Sequence, residues 1–116
     1  TKSIEIVYGL RNFIGNANKY SSKKIFINLK SDNSFSEISI EDDGEGYSND
    51  ILSKIGEPYL KTPNLNHKEK SGLGLGIFIG KTLLEKNFAS IICRNSKTRS
   101  GAEVIIRWNN NDLSKI

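Results

Sequence analysis

Ser71-Gly72-Leu73-Gly74-Leu75-Gly76 runs directly into Ile77-Phe78-Ile79-Gly80-Lys81-Thr82-Leu83-Leu84. Three glycines at alternate positions leave a backbone without side chains, able to take φ > 0 and to present bare amide N–H groups to an anion. The apolar run behind them is helical in length. The glycines are therefore expected to open a helix, where unpaired amides and the helix dipole favour phosphate. A dinucleotide site of the parallel α/β kind would need a strand immediately before the glycines and a Gly-x-Gly-x-x-Gly spacing. A polar segment stands there instead, and the spacing differs.

That polar segment runs from Glu57-Pro58-Tyr59 through Lys70 and holds both prolines and no periodicity. A loop of this length inside a compact domain is functional or disordered. Its place before the glycines predicts a mobile lid over 57–71, with its lysines facing phosphates. The single histidine, His67, falls in it and reads as a solvated lid residue without a chemical role. Beyond the glycines, the helix should reach Lys86 or Asn87. Ala89-Ser90-Ile91-Ile92-Cys93-Arg94 and Ala102-Glu103-Val104-Ile105-Ile106-Arg107-Trp108 then read as strands around the turn 96–101. Cys93, inside a strand, reads as a small core residue.

Before the lid, residues 48–55 suggest a short helix. Asp42-Asp43-Gly44-Glu45-Gly46-Tyr47 breaks the preceding strand and leaves room for a flat ligand against the backbone, with Asp42 at its mouth as an acceptor for an exocyclic amine. Lys24-Ile25-Phe26-Ile27-Asn28-Leu29 and Glu37-Ile38-Ser39-Ile40-Glu41 form a hairpin around 31–34, with Ile25, Ile27 and Leu29 on one buried face. Residues 3–20 read as a helix capped by Ser3, with Ile4, Val7, Leu10, Phe13 or Ile14, and Ala17 on its apolar face. Its last turns carry Asn12, Asn16, Asn18, Lys19 and Tyr20. Asn is a poor helix former, and Asn12 and Asn16 share a face.

Composition bounds the rest. The chain has 116 residues, 36% hydrophobic, which suits one domain with a real core. No stretch approaches a membrane span and no leader opens the chain. One cysteine rules out an internal disulfide and points to a reducing compartment. The net charge is +4, but Lys and Arg are interleaved with acidic residues, so nucleic acid is not the expected partner. With no methionine, residue 1 included, the chain is expected to be a piece of something longer. The order helix, two strands, glycine turn, short helix, lid, helix, two strands predicts an α+β two-layer sandwich over residues 1–108. In it, helices pack on one face of a mixed, mostly antiparallel sheet, and 109–116 is a polar tail expected to fray.

Taken together, Asn12-x-x-x-Asn16-Ala17-x-Lys19-Tyr20, Asp42-x-Gly44-x-Gly46 and Gly72-x-Gly74-x-Gly76 resemble the three nucleotide-binding boxes of the ATPase domain shared by gyrase, Hsp90, the MutL repair protein and sensor histidine kinases. The resemblance spans residues 9 to about 108. Asn-Ala-x-Lys-Tyr is typical of the sensor kinase branch. Gly56-Glu57-Pro58-Tyr59 is similar to that branch's aromatic box, with Gly56 where Phe is usual. This departure and the sequence 72–85 resemble the redox-responsive, global regulatory sensor kinases.

The resemblance implies a Bergerat-type ATP-binding fold, ATP and Mg²⁺ as cofactors, and the following roles. Asn16 would bind the metal, Lys19 would approach the phosphates and Tyr20 would pack on adenine or ribose. Asp42 would accept the adenine amine, and Gly44 and Gly46 would shape its pocket. Tyr59 and Lys61 would anchor the lid, while Ser71, Gly72, Leu73, Gly74, Leu75 and Gly76 would cradle phosphates. Asn12 joins the ATP-binding set and stands where hydrolysing members carry a glutamate base; an amide cannot accept a proton at pH 7. The resemblance therefore implies a histidine kinase catalytic domain, inactive alone. Its phosphoacceptor histidine would lie on a helical dimerisation domain outside this chain, and its response regulator would be an indirect partner. It implies a cytoplasmic domain of a membrane-anchored sensor, without direct membrane contact, that starts after a strand whose loss leaves a sheet edge unpaired. An ATPase or serine kinase on the same fold, or a nucleotide-binding pseudokinase module, is the alternative.

Overall fold

The computed structural model describes the backbone of residues 2–54 and 68–116 and the side chains of 2–52 and 77–116. Helix α1 spans Lys2–Tyr20, strands β1 and β2 span Ile25–Ser31 and Phe35–Asp42, and the short helix α2 spans Asn49–Lys54. Helix α3 spans Lys68–Lys86, β3 and β4 span Ser90–Asn95 and Ala102–Asn109, and α4 spans Asn110–Leu113. The sheet order is β1-β2-β4-β3 and all three pairings are antiparallel. The expected two-layer α+β sandwich is formed, with α1 against β2 and α3 against β3 on one face.

Alternation along each strand sets the faces. Ile40 opposes Val104 and Ile38 opposes Ile106 in register, and Ile91 and Cys93 extend the same face on β3. Against these pack Phe13 and Ala17 of α1 and Ile77 and Leu84 of α3. Glu5 meets Lys86 at 2.7 Å, while Cβ atoms built on Gly9 and Gly80 would touch Leu84 and Phe13 respectively. Rising numbers on α1 meet falling numbers on α3, so the two helices run antiparallel and cross at Gly9 and Gly80. Helix α3 ends where Ala89 N–H donates to Leu84 O and Phe88 N–H to Glu85 O, with Phe88 at φ 75° in the position glycine usually takes.

The opposite face carries the charge. Arg107 Nη2 donates to Glu37 Oε1 at 2.6 Å and Arg94 Nε to Glu103 Oε1 at 2.7 Å, each across directly opposed residues. Cross-strand pairs of this kind are worth about 0.2–1 kcal/mol each, so their main effect is to keep a solvated face from pairing with anything else.

Four expectations change. The apolar face of α1 is rotated from the expected one: Ile4 and Val7 are exposed, and Ile6, Leu10, Phe13, Ile14 and Ala17 meet the core, because the crossing with α3 at Gly9 sets which side of the helix faces inward. The hairpin's apolar face is only partly buried: Ile25 packs on the core, but Ile27 and Leu29 are 47% and 75% exposed. The physical reason is position, because β1 is the outer strand and the helices cover its inner neighbours. The C-terminal residues, expected to fray, instead form α4. Asn109 caps that helix by accepting from Asn111 N–H, and Leu113 and Ile116 pack against the core. Most consequentially, Ser71–Gly76 does not precede a helix; its backbone lies inside α3, which starts at Lys68. A glycine backbone is as free to be helical as to be looped, and the good helix formers interleaved with these glycines decide for the helix.

Candidate functional site

The last two turns of α1, the end of β2 and the turn after it enclose a cavity of about 570 Å³. Asn16, Lys19 and Tyr20 line one wall, and Asp42, Gly44, Gly46 and Tyr47 line the other. Phe13, Ala17, Ile40 and Val104 supply an apolar floor, which suits a planar, largely apolar ring system lying beneath more polar groups.

Asp42 is the buried acid of the site, only 3% exposed. Its Oδ1 accepts from Gly44 N–H at 2.9 Å and from Ala102 N–H at 3.3 Å. Gly44 is required by space, since a Cβ there would overlap the Tyr20 carbonyl oxygen. That contact brings the end of α1 against the turn and closes the cavity. Gly46 is required by conformation, at φ 80°.

Asn16 contributes an amide nitrogen that is buried without a hydrogen-bond partner among the described residues. A buried polar atom left unpaired costs about 1–3 kcal/mol, which a bound polar group would recover. Lys19 extends along the wall with its ammonium 5.4 Å from the Tyr20 ring centroid. Asn12, one turn earlier, lies outside the cavity wall; its amide donates to Tyr8 O at 2.8 Å. Tyr59, Lys61, His67 and most of the expected lid lie outside the described residues. Ser71, Gly72, Leu73, Gly74, Leu75 and Gly76 are described as helical backbone only.

Two supports of the site had no signature in the sequence. Asp43 accepts the N–H groups of Ser22 and Lys23 at 2.9 Å and of Lys24 at 3.1 Å, pinning the α1–β1 connection to the glycine turn. The Lys23 and then the Lys24 amide hold its carboxyl below the usual range. Asn95, at the end of β3, grips Tyr47 at both ends of its peptide: Tyr47 N–H donates to Asn95 Oδ1 at 2.6 Å, and Asn95 Nδ2 donates to Tyr47 O at 3.0 Å. The Tyr47 ring is thereby turned down to the core beside Cys93, where burial pushes both the phenol and the thiol up, the thiol to about 11. Such a thiol is protonated and unreactive at neutral pH, in keeping with a packing role. Asp-Gly and a strand-end Asn are common turn residues, so only their partners, more than 18 residues away in each case, distinguish them.

The family model of histidine kinase-, DNA gyrase B-, and HSP90-like ATPases matches residues 1–112. Sensor histidine kinase RegB of Cereibacter sphaeroides is 35% identical over 119 residues, covering 90% of this chain and 26% of RegB. The chain thus spans about a quarter of that relative's length. Among solved structures, the catalytic domain of histidine kinase ThkA superposes with a TM-score of 0.71 at 21% identity, covering 91% of this chain and 66% of that one. Full-length ShkA in complex with AMPPNP superposes with a TM-score of 0.65 at 22% identity, covering 90% and 21%. With the fold, the cavity and the family match over nearly its whole length in agreement, the chain belongs to the histidine kinase-, DNA gyrase B-, and HSP90-like ATPase family.

Proposed function

We propose that this chain is the Mg·ATP-binding catalytic domain of a sensor histidine kinase, which delivers the γ-phosphoryl group to a histidine on a helical domain outside the chain. The observation that carries the proposal is the convergence of Asn16, Lys19, Asp42 and Gly44 on one cavity with an apolar floor. In this reading the adenine lies on that floor with its amine toward Asp42, and Tyr20 packs against the ring or ribose. Guanine, which carries a carbonyl at the equivalent place, would leave a buried carboxylate facing a like dipole. Lys19 approaches the phosphates as a point charge.

Among the described residues no cluster of three His, Cys, Asp or Glu is arranged to hold a metal. A cation here would be held jointly by the amide oxygen of Asn16 and the nucleotide's phosphates, while the Asn16 amide nitrogen, unpartnered among the described residues, is a donor suited to an oxygen of the ligand. When bound it would supply charge neutralisation at the phosphates. Ser71, Gly72, Leu73, Gly74, Leu75 and Gly76 are proposed to meet the phosphates, and Tyr59 and Lys61 to anchor the segment covering them. With the ligand present the amides now within α3 would have to be released from the helix.

Asn12 supports kinase over hydrolase chemistry. Its amide is no proton acceptor and is already engaged with the Tyr8 carbonyl. Phosphoryl transfer to a histidine needs positioning and charge stabilisation more than a base on this domain. In this reading the chain works within a longer, membrane-anchored sensor, on its cytoplasmic side, and a response regulator then takes the phosphoryl group. No helix among the described residues is long and apolar enough to cross a membrane itself.

The test is calorimetric titration with ADP and a non-hydrolysable ATP analogue in Mg²⁺ buffer. Saturable binding is expected, weakened by Asp42→Asn and metal-perturbed by Asn16→Asp. Absent binding, equal affinity for guanine nucleotides, or steady-state hydrolysis by the isolated chain would overturn the proposal.

A further inference from the structure

Gly101 stands immediately before β4, at the end of the turn closed by Ser96 N–H donating to Gly101 O at 2.7 Å. It is buried. Turn glycines are usually explained by a positive φ, but here the left-handed position of the turn is taken by Ser100, at φ 63°, and Gly101 is not left-handed. What the residue needs is space. A Cβ on Gly101 would overlap the main-chain carbonyl oxygen of Asp42 and its carboxylate Oδ1. The nearest atoms include backbone, which cannot swing aside as the tip of a long side chain would.

The empty position at 101 lets the start of β4 lie directly against Asp42. From there Ala102 N–H reaches Oδ1 at 3.3 Å, while Gly44 N–H reaches the same oxygen at 2.9 Å from the other side. Both hydrogen bonds that hold this buried carboxylate end on Oδ1. They fix its rotation, and since both donors among the described residues go to Oδ1, Oδ2 is the oxygen left to accept from a ligand.

We propose that Gly101 is a positioning residue that determines purine selectivity: by admitting the Ala102 amide to Asp42, it aims the second carboxylate oxygen at the exocyclic amine of the base. It acts through Asp42 and touches no ligand. The proposal rests on the reading above in which Asp42 accepts that amine. A merely structural role for Gly101 would lower stability and weaken all ligands alike, whatever stands at 42.

The experiment is a double-mutant cycle of Gly101→Ala and Asp42→Asn, read as calorimetric dissociation constants for ADP with Mg²⁺, with folding checked by circular dichroism. Gly101→Ala is expected to weaken ADP about tenfold when Asp42 is in place and less than about threefold in the Asp42→Asn background, because both changes act through one carboxylate. Equal losses in the two backgrounds, or no loss in either, would overturn the positioning role while leaving the Asp42 reading intact. If Asp42→Asn alone leaves ADP affinity unchanged, the underlying reading fails and this proposal falls with it. Should Gly101→Ala not fold, the amide proton resonances of the unmodified chain and Asp42→Asn decide. Loss of the carboxylate should shift Gly44 and Ala102 together, and an unmoved Ala102 amide would overturn the proposal.

Discussion

Alanine at Gly15 should stabilise the chain, whereas alanine at Gly9, in the same helix, should not. At Gly15 an added Cβ meets nothing within 4 Å. The change then acts only through the backbone, and replacing glycine in a helix interior stabilises by about 1 kcal/mol. At Gly9 the same Cβ would lie 2.7 Å from Leu84 Cγ and 3.2 Å from Gly80 O. Leu84 is wholly buried, with 0% exposure, and cannot move out of the way, while Gly80 O is main chain. Overfilling a packed site costs about 1–3 kcal/mol, against the same propensity gain of about 1, so Gly9→Ala should be neutral to destabilising by about 2 kcal/mol.

The two variants should therefore differ by about 1–3 kcal/mol. Over 116 residues the unfolding entropy near the midpoint is about 0.24 kcal/mol/K, which makes that gap about 4–12 °C in Tm. Differential scanning calorimetry reads the shift, and urea unfolding with an unchanged slope verifies that the same surface is exposed. If Gly9→Ala raised Tm as Gly15→Ala does, α1 and α3 would not be in contact at this crossing, and the packing that carries Asn16 and Lys19 to the cavity would be wrong.

Two further outcomes follow from the supports of the site. The Asp43 carboxyl is held below its usual range by the Lys23 and Lys24 amides, so its contribution is present above the unfolded value near 4 and lost as pH falls through the lower folded value. The urea midpoint of the native chain should exceed that of Asp43→Asn most at pH 7 and converge with it toward pH 3; a constant gap would refute the assignment. Asn95→Ala removes both hydrogen bonds to the Tyr47 peptide and should destabilise by about 1–2 kcal/mol, with faster amide hydrogen exchange at Tyr47. Unchanged Tyr47 exchange would show that the turn is held by other groups.

The local elements were legible in the sequence because each is written in a short-range period. The helical period of α1, the alternation in β1, β2 and β4, and the glycine-broken turn after Asp42 all depend on neighbours a few residues away, although the period of α1 did not say that Ile6 would face inward and Ile4 and Val7 outward. The candidate wall of Asn16, Lys19, Tyr20, Asp42, Gly44 and Gly46 was legible too, since its residue types and order carry a family's chemistry. What the tertiary structure alone decided involves partners far apart in the chain. Sheet order left β1 outermost, so Ile27 and Leu29 are exposed despite their perfect alternation. The helix crossing assigned Gly9 and Gly80 to close packing, while Gly15, identical in composition and in the same helix, faces open space. Asn12 and Asn16 share a helical face, yet only Asn16 reaches the cavity, because the wall ends within one turn. Residues 72–76 show the limit most clearly: three glycines specify permission and not conformation, and the backbone takes whichever state its hydrogen-bond partners favour. Periodicity encodes what a segment can bury, but which groups it buries against depends on contacts that no local window contains.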